Sequence, residues 1–196
     1  MIFCLVLFGF VALAFVVQEF VPVVTWAYQA RLFLVPVVFF ASAVSVPFPV
    51  MLAFAFFTGF VWDARHLIIL PEAAGYSFLD PMAQQTANPA FGYSIALYGL
   101  LGSLMQGIRP LFRRGRWELP VLMTGVATAL LLTFEYLWIG FLRGSFSISQ
   151  ATWMNIGTTA LLSMMISPLL FFLIHWLSRE ADYQIRYEGI KLRQPW

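Results

Sequence analysis

Six long apolar runs, separated by short polar breaks, recur along the whole chain. One buried core helix would explain one run, but not six. About 20 apolar residues carry a helix across a bilayer, so the runs read as membrane spans at about 2–24, 32–46, 50–62, 91–108, 119–142 and 151–177. Composition agrees. Charged residues make up 10% of the chain and hydrophobic ones 61%, whereas a soluble domain carries about 25% charged residues. Too little charge remains to coat a water-facing surface. The expected fold class is all-α: a polytopic six-helix membrane bundle over residues 1–178, with loops too short for a large extramembrane domain.

The breaks define the organisation. Gln18, Glu19 and Pro22 mark an interface or a kink near the end of the first run. Runs two and three are short and meet at Pro47-Phe48-Pro49, where proline removes a backbone donor and forces a tight re-entry. The third run is expected to end at Asp63, Arg65 and His66. Residues 64–90, with Pro71, Gly75, Pro81 and Pro89, read as an extracytoplasmic loop, and 179–196 as a cytoplasmic tail. Cys4, the single cysteine, forms no intrachain disulfide and reads as a small apolar residue. The N-terminus lacks a basic n-region and a cleavage site, so the first run is taken as a retained span.

Six spans place both termini on one side. With that side cytoplasmic, the inner segments hold eight basic residues, including Arg109, Arg113, Arg114 and Arg116, and the outer segments hold three, Arg31, Arg65 and Arg143. This is the asymmetry of the positive-inside rule. The turn at 109–116 is expected to meet anionic headgroups. A net charge of +2 does not point to nucleic acid.

The chain shows no HExxH, no Cys/His cluster with metal spacing, no GxSxG elbow and no Walker-type phosphate loop. No cofactor or metal is implied, and no constellation of polar side chains suggests an enzyme. Four features remain. Ala55, Gly59 and Asp63 are spaced four apart and share a helix face that admits close approach of another helix. Asp63 then pairs with a basic group, caps the next segment, or simply ends the span in solvent. Glu135 lies inside the fifth run, where a charge costs about 2.5 to 3.5 kcal/mol on insertion scales. It reads as protonated, hydrogen-bonded or facing a polar cavity, either for a ligand, proton or partner helix or as an internal structural contact. Asn155, Thr159, Ser163 and Ser167 form a polar ridge on the sixth run, followed by Pro168, a candidate kink. Such ridges serve more often as packing glue than as sites, and this one is expected to face inward, within reach of Glu135. Gly99, Ser103 and Gly107 form a small-residue ridge on the fourth run, for internal packing or for docking a separate membrane partner.

The stretch Ala55-Phe56-Phe57-Thr58-Gly59-Phe60-Val61-Trp62-Asp63 resembles the small-residue and Gly-x-x-x-Asp segment of MreD, the rod shape-determining membrane protein family. Phe91-Gly92-Tyr93-Ser94-Ile95-Ala96-Leu97 resembles the glycine-led start of that family's next helix. Phe134-Glu135-Tyr136-Leu137-Trp138, the polar link after it, the last helix near Pro168 and the Pro47-Phe48-Pro49 turn also fit. The resemblance covers about residues 5–180. Family members join the Asp and the glycine by a short loop, whereas Asp63 and Gly92 here are separated by a long one. The resemblance implies a non-enzymatic subunit of the bacterial cell-elongation complex in the cytoplasmic membrane. It would work with MreC, a single-span protein, and with the MreB filament, the RodA glycosyltransferase and a class B penicillin-binding protein. It also implies the six-helix architecture of the substrate-binding subunits of energy-coupling-factor transporters. The alternative is a small-molecule-binding subunit of a vitamin-type transporter, with Glu135 and the sixth-run ridge lining the pocket. The Ala-x-x-x-Ala contact typical of the first helix of those subunits is missing: Gln18 follows Ala14, and Val16 follows Ala12.

Overall fold

The computed structural model describes residues 2–28, 30–68, 91–109, 118–142, 150–181 and 183. Among them are six α-helices: α1 Ile2–Phe20, α2 Leu34–Ser45, α3 Phe48–Ile68, α4 Tyr93–Gly107, α5 Glu118–Leu142 and α6 Gln150–Glu180. Helices suit such apolar segments because hydrocarbon offers no partner for a backbone N–H or C=O, and a helix pairs both internally. Four of the six, α1, α3, α5 and α6, are long and apolar enough to cross a bilayer, which marks the chain as a multi-pass helical membrane protein. Most of the 64–90 loop, the 110–117 part of the basic turn, the 143–149 link and the tail beyond Tyr183 lie outside the described residues.

The element bounds depart most from the apolar runs in the first and third helices. α1 stops at Phe20, before Pro22, rather than continuing to residue 24. Beyond it, Val23–Val24 (β1) pairs antiparallel with Ala30–Arg31 (β2), around a short 3-10 turn at Thr25–Ala27 and a left-handed Tyr28. The third helix is not short. It spans 21 residues and runs through Asp63 and Arg65 to Ile68, because both charged side chains find partners on other elements.

Proline chemistry sets the α2–α3 re-entry. The residue before a proline is steered to extended backbone, and Val46 has φ −110° and ψ 157°. Pro36 and Pro49 occupy the first turns of α2 and α3, where a missing N–H costs nothing.

α2 is the centre of the bundle. Its 12 residues rise about 18 Å, well short of the ~30 Å hydrocarbon core. Every residue from Val35 to Val46 is buried, and α2 touches each of the other described helices. Around it, Phe39 meets Tyr98 edge-on at 5.0 Å and Phe8 stacks on Phe54 at 4.0 Å. Gly102 of α4 lies so close that a Cβ there would sit 2.6 Å from the Met51 sulfur and 3.0 Å from Phe39. The outer faces carry exposed apolar side chains, such as Phe20, Met165 and Phe172, at 73% exposure or more. On a chain of this composition they make a lipid-facing surface.

Candidate functional site

The two ends of α2 are held by side chains from its neighbours. A helix leaves its first N–H and last C=O groups without helical partners, and burial makes each orphan costly. At the N-terminal end, the Gln18 side chain accepts from the Leu34 N–H at 2.6 Å and donates to the Leu32 carbonyl at 2.7 Å. At the C-terminal end, Gln106 Nε2 donates to the Ala43 and Val46 carbonyls at 2.6 and 2.7 Å. Arg109 Nε donates to the Val44 carbonyl at 2.6 Å, and its Nη1 to Gln106 Oε1 at 3.0 Å. A cation at a helix C-terminus also complements the helix dipole. Arg109 is 6% exposed. This residue of the basic turn is therefore turned into the bundle and does not lie among headgroups as expected. Neither Gln106 nor the capping role of Gln18 was apparent from sequence, because a cap is recognisable only once its helix is known to lie beside it.

At the opposite end from this clamp, Asp63, Gly92 and Glu135 come together around the start of α4. Asp63 Oδ2 accepts the Gly92 N–H at 2.7 Å. Of the roles open to Asp63 in the sequence, capping the next helix is the one its geometry fits, in spite of the long intervening segment. Gly92 has φ +97°, a left-handed conformation that a Cβ disfavours, and its carbonyl accepts from Ala96 in the first turn. Gly59, one turn before Asp63, is where the α3 and α4 backbones meet. A Cβ there would lie 2.5 Å from Ile95 Cα and N, so only glycine permits this approach. The next residue, Tyr93, donates its hydroxyl to the Phe134 carbonyl at 2.8 Å and stacks on Trp138 at 4.8 Å, tying α5 to the same corner. Glu135 is half-buried there, within electrostatic range of Tyr93 and Tyr98. It lies five residues past the middle of α5, about 7.5 Å along the axis, and so is displaced from mid-helix toward the α4 start. Glu19 of α1 pairs with Arg65 of α3, and the Arg65 guanidinium also lies 5.9 Å from the Phe15 ring centre.

The polar ridge of α6 divides in two. Asn155 Nδ2 donates to the Tyr28 carbonyl at 2.9 Å, and Thr158 donates to the Ala27 carbonyl at 3.3 Å, so this end docks the β1–β2 hairpin. Thr159, Ser163 and Ser167 point into the bundle with 0% exposure. Their hydroxyls have no hydrogen-bond partner among the described residues, so none of them bonds to Glu135. Pro168 sits within an uninterrupted α6.

The α4 ridge turns the other way. A Cβ at Gly99 or at Gly107 would meet nothing within 4 Å, and neighbouring Leu100 and Leu104 are more than half exposed. Ser103 between them is partly exposed and bonds back to the Gly99 carbonyl at 2.7 Å. Beside both glycines the described residues leave open space, and the ridge forms a shallow seam on the outer surface. Among the described residues no group of three or more His, Cys, Asp or Glu is placed to hold a metal. Comparison with protein-family models, curated proteins and solved structures returns no match for this chain.

Proposed function

We propose that this protein is a non-catalytic membrane subunit of the bacterial cell-elongation complex, which maintains rod shape by binding an MreC-like single-span protein and helping to organise peptidoglycan synthesis. The observation that carries this reading is the open seam Gly99-Ser103-Gly107 on α4. Small residues on an exposed helix face let a second helix approach closely in lipid, where packing drives association. A single-span partner supplies one such helix. The MreB filament, RodA and a class B penicillin-binding protein complete the proposed assembly. Placement in the cytoplasmic membrane with both termini inside rests on the eight-to-three division of basic residues. The proposed architecture is that of the substrate-binding subunits of energy-coupling-factor transporters, consistent with five helices packed around a short second one.

Depletion in a rod-shaped host tests the function. Rounded cells with delocalised wall synthesis are expected, and unchanged shape and wall-synthesis pattern would refute it. A second reading, a vitamin-binding transporter subunit, draws on the buried hydroxyls Thr159, Ser163 and Ser167. A rise in the unfolding midpoint on adding a vitamin would favour it over the first.

A further inference from the structure

The helical hydroxyls include two groups. Ser45, Ser103, Thr124, Thr128 and Thr133 each donate to the carbonyl one turn back, at 2.7 to 3.0 Å. Thr159, Ser163 and Ser167 of α6, Ser42 of α2 and Thr58 of α3 do not. All five are 0% exposed and have no hydrogen-bond partner among the described residues. The three on α6 are spaced four apart and so lie on one face, over about 12 Å, and α6 packs against α2. Pro168, next to Ser167, has no N–H, so the Met164 carbonyl one turn back lacks its usual helical donor at the same level.

A buried hydroxyl that donates to nothing is costly, and buried polar groups are as a rule paired. Bonding back to the helix is open to such residues, as the first group shows. Three that forgo it on one face of α6 have another partner. Hydroxyls both donate and accept, so a partner that does the same satisfies each of them. Water meets this requirement and is the usual partner of buried polar groups that the chain leaves unpaired, with two to four hydrogen bonds. We infer that the inward face of α6 binds a row of ordered water molecules, held by Thr159, Ser163 and Ser167. These waters complete the hydrogen bonding of a bundle whose central helix is too short to span.

Water-edited solid-state NMR on the intact protein in lipid bilayers tests this. Thr124 and Thr128 serve as controls, since both are 0% exposed and both bond back to their own helix. Magnetisation from water is expected to reach the side chains of Thr159, Ser163 and Ser167 several-fold faster than those of the controls. Equal build-up would overturn the inference. Ser163→Ala supplies a second measurement. Loss of a water-bonded hydroxyl lowers the thermal midpoint by about 2 to 4 °C relative to Ser103→Ala. A midpoint unchanged or raised on the same comparison would show that the hydroxyl was unpaired, and would also overturn it.

Discussion

The Asp63 carboxylate and the Gly92 N–H, 29 positions apart in the chain, meet at 2.7 Å. This bond lets α3 carry a charged residue within its length and lets α4 begin against it. Asp63→Ala would leave the Gly92 N–H without this acceptor, at a cost of about 1 to 3 kcal/mol. Asp63→Asn keeps an acceptor oxygen and should lose less. Thermal unfolding in detergent should rank wild type above Asn and Asn above Ala.

Gly59 and Gly99 look alike in sequence and differ in space. Gly59→Ala forces a Cβ against the Ile95 backbone and should destabilise by about 1 to 3 kcal/mol, the usual range for overpacking. Gly99→Ala enters open space and gains about 0.8 to 1 kcal/mol of helix propensity. Opposite shifts of the unfolding midpoint are expected from the two variants.

The clamp on α2 predicts that Arg109 is needed for stability rather than for lipid contact. Arg109→Ala leaves the buried Val44 carbonyl without this donor and should cost about 1.5 to 3 kcal/mol, the range for hydrogen bonds to a charged group. Arg109→Lys should rescue only part, because a compact ammonium does not reproduce the two-nitrogen fork to Val44 and Gln106. The loss should be the same in zwitterionic and anionic lipid. A loss confined to anionic lipid would return Arg109 to the headgroups.

The Glu19–Arg65 pair should matter little. Its side chains are 56% and 29% exposed, and exposed pairs contribute about 0 to 1 kcal/mol. Glu19→Gln should leave the unfolding midpoint nearly unchanged, while Arg65→Ala, which also removes the contact with Phe15, should lower it measurably.

What was legible in the sequence follows from range. Apolar runs and prolines act locally, and they located the helices and the break at Pro47. The extension of α3 to Ile68 was hidden because Asp63 and Arg65 resemble a border until Gly92 and Glu19 are seen to satisfy them. The β1–β2 hairpin has only two residues per strand, too few for a pattern, and takes part of its support from Asn155 and Thr158, more than 120 positions away. Gln106 and Gly102 carried no local signal for the same reason, and Gln18 marked an interface or a kink but not the helix it caps. The small-residue spacing of Gly99, Ser103 and Gly107 was visible, but not the direction it faces.

That direction is the basis of the proposed function, and one measurement tests it most directly. A tagged wild-type protein and the Gly99→Leu/Gly107→Leu double variant are purified in mild detergent from cells expressing an MreC-like single-span protein. A Cβ at either position enters open space and leucine favours a helix over glycine, so the variant should be at least as abundant and as stable as the wild type. The single-span protein should co-purify with the wild type and be lost from the variant. Equal recovery from both, with folding intact, would contradict the docking seam on α4, and no recovery from either would contradict the proposed partnership.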